Sequence, residues 1–170
     1  FVQLKRWDDA SSVALALEGE EFLTSRYYRL TASIEQRRGN REAEEAALQK
    51  AVEIDPRDID SAIRLADFLV AAGRRDDAAA LYAKITGLVQ NNGHLWHRAA
   101  LLARDMNQTD KAIELYKKAI SVQPNVYTLH YELGQLYIKA GQPDRAKPYL
   151  ARAFELNPKL FEKEKGKDGK

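Results

Sequence analysis

Residues Tyr127 to Leu160 read YTLHYELGQLYIKAGQPDRAKPYLARAFELNPKL, and this stretch decides the fold. Apolar residues recur every three or four positions on both sides of Gly141, which is the spacing of amphipathic α-helices. Gly141 supplies the conformational freedom that a tight turn after a helix needs. Pro158 ends the second helix, because proline cannot continue one. The stretch therefore predicts a hairpin of two helices.

The same pattern returns along the chain at steps of 34 residues. Each turn position holds a glycine or an asparagine, which tolerate a left-handed backbone. An acidic residue follows three positions later, where it complements the positive end of the helix dipole. The turn residues are Gly39, Gly73, Asn107 and Gly141, and the acids are Asp8, Glu42, Asp76, Asp110 and Asp144. This period predicts a stack of helix pairs, each packed mainly on its neighbours.

The apolar spacing also gives the helix positions. First helices of the pairs are predicted at residues 24–38, 58–72, 94–106 and 126–140, and second helices at 7–18, 41–54, 75–89, 109–122 and 143–156. No stretch alternates polar and apolar residues with a period of two, so no strands are predicted. The fold class is therefore all-α.

Small residues recur where two helices must approach closely, and larger side chains fill the space between them. The small positions are Ala32, Ala66, Ala100 and Gly134 on first helices and Ala10, Ala78, Ala112 and Ala146 on second helices. The larger residues are Tyr82, Trp96, Tyr116, Leu133, Tyr137 and Leu150. Both sets are predicted to form the core.

These features resemble the tetratricopeptide repeat, a 34-residue unit with conserved small, aromatic and proline positions. The best match is the last repeat, through Leu133, Gly134, Tyr137, Ala146, Ala153 and Pro158. The resemblance implies a right-handed α-solenoid of antiparallel helix pairs across residues 1–160. The predicted domains are a half repeat at 1–24, repeats at 25–58, 59–92, 93–126 and 127–160, and a charged tail or start of a capping helix at 161–170.

Three features depart from the regular pattern. Glu44 stands at a small position of a second helix, and we expect that helix to rotate or slip so that the carboxylate stays in water. Glu35 occupies a position that is apolar in other repeats. Pro148 lies inside the last second helix and predicts a mild kink there.

Residues 1–10 match the middle of the last repeat, so we expect the polypeptide to begin inside a longer array.

The composition excludes several classes of function. The chain lacks cysteine, which excludes disulfides, thiol catalysis and cysteine-ligated zinc. A net charge of +2 from 27 basic and 25 acidic residues gives no strong field toward nucleic acid, so no nucleic-acid partner is expected. No apolar run reaches the length of a membrane span, so direct membrane insertion is not expected. Neither a cytoplasmic nor a periplasmic location is favoured.

Catalytic motifs are also lacking, and we expect neither enzymatic activity nor a cofactor. His94 and His97 lie three residues apart on one predicted helix, the minimum for a metal site, with Asp60 or Asp67 as a conceivable third ligand. The alternative is that both histidines are polar side chains facing a groove, and we favour it. No metal site is therefore predicted.

The resemblance implies that first helices line a concave groove, and helical phase then selects the lining residues. They are Arg29, Ser33, Arg37, Asp60, Ile63, Arg64, Asp67, Val70, His94, His97, Arg98, Leu101, Thr128, Tyr131, Gln135 and Ile138. Arginine with aliphatic and aromatic side chains is a composition typical of protein contacts. The predicted function is a non-catalytic scaffold that binds a partner peptide or subunit in this groove.

Arg29, Arg64 and Arg98 recur on successive first helices, and guanidinium groups pair well with carboxylates, so the partner is predicted to be acidic. A local alternative is that Arg64 pairs with Asp60 and Asp67 along its own helix. Some members of the family clamp a terminal carboxylate, but their asparagines are missing here. Other hypotheses are a regulatory or targeting portion of a larger enzyme or export protein, and self-association through exposed ends of the array.

Overall fold

The computed structural model describes residues 24–159, and these residues form helices and turns without strands. The helices are α1 Ser25–Arg38, α2 Arg41–Ile54, α3 Ile59–Ala71, α4 Arg75–Leu88, α5 Gly93–Asp105, α6 Thr109–Val122, α7 Tyr127–Lys139 and α8 Pro143–Leu156. The predicted all-α class of helix pairs is confirmed. The helix predicted at 7–18, residues 1–23 of the half repeat predicted at 1–24, Ala10 and the tail at 161–170 lie outside the described residues. None of the described helices has the length and hydrophobicity that crossing a membrane requires.

The predicted left-handed turns are present in the structure. Gly39, Gly73 and Gly141 have φ values of 74°, 80° and 72°, and Asn107 has a φ of 58°. After α7, the Gly141 N–H donates to the Ile138 carbonyl at 2.9 Å, and the N–H of the next residue reaches the Tyr137 carbonyl. These bonds satisfy carbonyls at the end of the helix and turn the chain into α8.

Side-chain caps fix the starts of four helices. Thr24, Asn40, Asp58 and Asn92 each accept a hydrogen bond from a backbone N–H three residues later. An uncapped N–H at a helix start has no partner within the helix, so each cap both stabilises and positions the helix.

The described chain divides between Val89 and Gln90 into two compact subdomains. In the N-terminal subdomain α1 packs on α2, α2 on α3, and α3 on α4. Ala32, Ala66 and Ala78 are fully buried there, as the small-residue positions predict, and Ala51 is fully buried as well.

In the C-terminal subdomain α5 packs on α6, α6 on α7, and α7 on α8. Tyr116, Leu133 and Tyr137 are buried in its core, and Trp96 and Leu150 are partly buried against it. A Cβ added at Gly134 would lie 2.6 Å from Leu150 Cδ2. The predicted small position on α7 therefore permits α8 to approach.

The prediction for Glu44 is wrong, because its side chain is buried, with only 6% of the residue exposed. Glu44 lies in helical phase with Ala47, Leu48 and Ala51, which are all buried on the same face of α2. A rotation that exposed Glu44 would therefore expose these apolar residues as well. Glu35 is mostly buried and forms an ion pair with Arg38, with 2.8 Å between Glu35 Oε1 and Arg38 Nη1. Helix α8 continues through Pro148.

Candidate functional site

Arg29 on α1 is held by two carboxylates at the start of α3. Its Nη1 donates to Asp58 Oδ1 at 3.1 Å and to Asp60 Oδ2 at 2.9 Å. The Asp58 side chain is 12% exposed and that of Asp60 is 78% exposed. The two carboxylates together offset the positive charge of Arg29. Arg29 therefore links α1 to the start of α3, and any contact that it makes with a partner is secondary to this role.

Asp58 joins this bridge to two serines. Ser61 Oγ donates to Asp58 Oδ2 at 2.7 Å, the Ser25 hydroxyl donates to the same oxygen, and the Ser61 N–H donates to Oδ1 at 3.2 Å. Burial alone would raise the pKa of Asp58, but hydrogen bonds from Ser25 and Ser61 and the charge of Arg29 outweigh it. The pKa of this carboxyl therefore lies below its ordinary value.

Sequence reasoning missed this network, although one signal pointed to it. An aspartate directly before a helical run of apolar residues is typical of an N-cap. Asp58 stands at such a position before α3. The partner Ser25 lies on another helix, 33 residues away in sequence, and only the fold brings it close.

Arg64 on α3 also reaches α1. Its Nη1 donates to the Arg29 carbonyl at 3.0 Å and to Ser33 Oγ at 2.9 Å. In the local alternative Asp60 pairs with Arg64, but the structure places the Asp60 carboxylate on Arg29. Both acceptors of Arg64 are neutral, so these bonds position the guanidinium without balancing its charge.

In the C-terminal subdomain, His97 on α5 contacts Glu132 on α7, with 2.6 Å between Nε2 and Oε2. These residues stand 68 positions after Arg29 and Arg64, so the same two repeat positions link neighbouring first helices in both subdomains. The contact occupies Nε2, one of the two ring nitrogens through which a histidine can bind a metal. Among residues 24–159 no three histidine, aspartate or glutamate side chains cluster closely enough to hold a metal ion.

Tyr116 lies beneath this pair. Its ring centroid is 5.9 Å from that of His97, and its hydroxyl is buried. Burial, followed by the nearby Glu132 carboxylate, raises the pKa of Tyr116. The phenol therefore stays protonated and acts as a core residue.

The remaining predicted groove residues differ in exposure. Arg37, Asp67, His94, Gln135 and Ile138 are exposed, whereas Ile63, Val70, Arg98, Leu101, Thr128 and Tyr131 are intermediate. Arg37, Asp67, Arg98 and Tyr131 make further side-chain contacts. On α7, Gln135 and Ile138 lie outward while Leu133, Leu136 and Tyr137 are buried. One face of α7 is thus left free of the core.

An open cleft of about 790 Å³ lies at the starts of α1 and α3. Its charged lining consists of Arg26, Arg29, Arg57, Asp55, Asp58 and Asp60. Because basic and acidic residues are equal in number, the cleft has no net preference for an anion or a cation.

Comparisons with known proteins give a consistent family. A model of the tetratricopeptide repeat matches residues 41–104 and 103–160. The 131 kDa subunit of transcription factor tau from Saccharomyces cerevisiae is 25% identical over 121 residues, which are 71% of this chain and 12% of that protein. The chain therefore spans only a small part of this relative.

Solved structures are similar in fold. A crystal structure of MamA superposes with a TM-score of 0.74 at 20% identity, covering 92% of this chain and 91% of MamA. MamA from Desulfovibrio magneticus RS-1, residue 41 to its end, gives a TM-score of 0.67 at 15% identity, covering 92% of this chain and 96% of that one. With its helix pairs on a 34-residue period, and with the family model matched across residues 41–160, this chain belongs to the tetratricopeptide repeat family.

Proposed function

We propose that the chain is a non-catalytic protein–protein interaction scaffold that holds a partner peptide or subunit against the outward face of its first helices. Family membership supports a protein-binding role. The observation that carries the proposal is Ile138, a large apolar side chain that is 46% exposed on α7 while its neighbours Leu136 and Tyr137 are buried. Gln135 lies beside it on the same helix face, one turn before. An apolar residue flanked by polar ones suits a contact that forms and dissociates.

The test is site-specific photo-crosslinking in the full-length protein. A photoreactive residue at Gln135 is expected to capture a defined partner, because this position faces away from the core. The matched control is Lys118, which is also exposed but lies on the second helix α6. Capture of the same partner with equal yield from Lys118 and Gln135 would refute binding on the first-helix face.

Arg64, rather than Arg29, is the residue that binds the acidic group predicted for the partner. Arg29 already faces Asp58 and Asp60, whereas the two acceptors of Arg64 are neutral. Arg64→Gln removes the charge but keeps a donor for Ser33. We expect this change to weaken binding of an acidic partner by about tenfold, the scale of one charge-assisted hydrogen bond.

The matched control is Arg75→Gln, an exposed arginine on the second helix α4. The loss caused by Arg64→Gln should shrink as salt is added. An equal loss of affinity in Arg64→Gln and Arg75→Gln, or a loss that does not depend on salt, would argue against an acidic contact at Arg64.

A second candidate is that the chain serves as the interaction portion of a much longer subunit. The yeast relative favours it, because the matching segment makes up only 12% of that transcription factor subunit. Purification of the complete gene product tests this idea. A product little longer than residues 1–170, and without stable partner subunits, would contradict it.

A further inference from the structure

The connection between α4 and α5 departs from the other repeats. Pro56, Pro124 and Pro158 lie on the 34-residue period, but position 90 on the same period holds glutamine, followed by Asn91, Asn92 and Gly93. Of the asparagines in the chain, only Asn92 precedes a glycine. Asparagine is a chemically labile residue, and the following residue governs how readily its amide is attacked.

Asn92 has a structural task. Its Oδ1 accepts the Leu95 N–H at 2.9 Å, and its carbonyl accepts the Trp96 N–H at 3.3 Å. The Trp96 ring N–H then donates to the Gln90 carbonyl at 2.7 Å. Asn92 therefore caps α5 and fixes the chain that leads into it.

Gly93 is fixed by packing. It is buried, and a Cβ at this position would lie 2.5 Å from Gln123 Oε1 at the end of α6. A larger residue would require the exposed side chain of Gln123 to shift. Because glycine has no side chain, its backbone nitrogen is unhindered toward the preceding asparagine.

We propose that Asn92 is a site of spontaneous covalent modification by deamidation. The Gly93 backbone nitrogen attacks Asn92 Cγ, gives its proton to solvent, and displaces the side-chain amide as ammonia to leave a cyclic imide. Water then opens this ring at either carbonyl. One product is aspartate at position 92, and the other is isoaspartate, in which the main chain runs through the former side chain.

Folding controls this reaction at its first step. In the native structure the Asn92 side chain is bound to the Leu95 N–H, and Gly93 is held against Gln123, so ring closure requires the first turn of α5 to open. Helix ends open far more readily than the core, so the native protein reacts, but more slowly than the unfolded chain.

The two products differ in their effect on α5. Aspartate retains a cap oxygen and adds negative charge at the helix N-terminus, which is favourable. Isoaspartate inserts an extra carbon in the main chain and moves the carbonyl away from Trp96. Accumulation of isoaspartate therefore loosens the start of α5.

The test is a time course of the intact protein in mildly alkaline buffer, with and without urea, followed by peptide mapping that separates aspartate from isoaspartate. We expect Asn92 to convert on the order of tenfold faster than Asn125, which precedes valine, and faster again in urea. Asn92→Ser keeps a capping oxygen but has no amide, so it should fold normally and give no product at position 92.

Conversion at Asn92 no faster than at Asn125 in either condition would overturn the proposal. Equal deamidation rates at Asn92 with and without urea would contradict the inference that the first turn of α5 must open before the ring closes. Comparison of aged protein with Asn92→Asp then separates the products, since only isoaspartate should increase protease cleavage near Gly93.

Discussion

At the scale of single residues, Gly134 shows how closely two helices approach. Its absent Cβ would lie 2.6 Å from Leu150 Cδ2 and 2.7 Å from Leu150 Cγ. Gly134→Ala gains helix propensity but must displace Leu150, and overpacking costs about 1–3 kcal/mol. We therefore expect Gly134→Ala to lower the free energy of unfolding by about 1 kcal/mol in urea titrations, after the propensity gain is subtracted.

The matched control is Gly87→Ala near the end of α4, where an added Cβ meets nothing within 4 Å. Only the propensity term remains there, so this variant should gain about 0.5 kcal/mol. If the free energy of unfolding falls in Gly134→Ala and rises in Gly87→Ala, packing decides the effect at Gly134. A rise in both variants would show that Leu150 repacks without cost.

Asp58 gives the N-terminal subdomain a defined pH dependence. Its pKa is lowered from an ordinary value of 3.8, so the unfolded state takes up a proton at a higher pH than the native state. Stability from this group is complete above the unfolded pKa and is lost as pH falls through it toward the lower native value. Asp58→Asn keeps a capping oxygen but removes this proton uptake.

The measurement is the free energy of unfolding against pH between about 2 and 5, a range that includes the unfolded value of 3.8 and extends toward the lower native value. The wild-type slope in the acidic part of this range should exceed that of Asp58→Asn. Asp60→Asn is the control, because Asp60 contacts the same arginine but is 78% exposed. If Asp60→Asn flattens the slope as much as Asp58→Asn, the buried serine network is not the source.

Individual side chains were the least predictable part of the site. The period places Arg64 on a first helix, but it does not show that Arg64 turns toward Ser33 on α1. Glu44 was expected in water because burial of a carboxylate is costly, yet the apolar phase of α2 keeps it buried. In both cases a long-range contact or the packing of a whole helix outweighed the preference of one residue.

At the scale of elements, the turns are the most regular feature. Gly141 has a φ of 72° and open space around its Cα, so an alanine there would be strained only by its backbone. Gly141→Ala should lower the stability by about 1–2 kcal/mol, the cost of a left-handed conformation. The measurement is the urea midpoint with an unchanged circular dichroism spectrum.

Asn107 occupies the same turn position between α5 and α6 with a φ of 58°. Asn107→Gly should be neutral or slightly stabilising, because glycine adopts this conformation without strain. A loss at Asn107→Gly comparable to that at Gly141→Ala would show that the asparagine side chain itself stabilises the turn.

The helices themselves could be predicted to within about one residue at each end. Their limits depend on local chemistry: a cap residue before the helix and a left-handed residue after it. Helix α3, for example, was expected at 58–72 and is found at Ile59–Ala71, because Asp58 is the cap and Ala72 ends the helix. Contacts between helices depend on residues about 34 positions apart, so the sequence predicted which faces meet but not which atoms bond.

At the scale of the whole molecule, the repeat period predicted one continuous array and gave no sign of a division at Val89–Gln90. The connection there differs in sequence from the others. Proline at position 56 or 124 fixes the backbone that joins successive repeats, whereas position 90 holds glutamine and a hydrogen bond to Asn92 caps the next helix. Helical periodicity does not reveal the effect of a change in one connecting segment.

The core of the C-terminal subdomain lies entirely within residues 90–170, from Ala100 on α5 to Ala146 on α8. A repeat array derives its stability from each repeat and from its nearest neighbours. We therefore expect a fragment of residues 90–170 to fold into helices and to unfold cooperatively, at a lower urea concentration than the full chain because it has fewer repeats. Trp96 is its single tryptophan and reports the transition by fluorescence.

The reference for this measurement is the full chain carrying Trp7→Phe, in which Trp96 is again the single tryptophan. Both proteins should show the same native emission maximum, since the Trp96 ring N–H bonds to Gln90 within the fragment. A fragment that is helical but lacks a cooperative transition would mean that residues 1–89 are needed to order α5 to α8. In that case the compactness of the subdomain would not make it an independent folding unit.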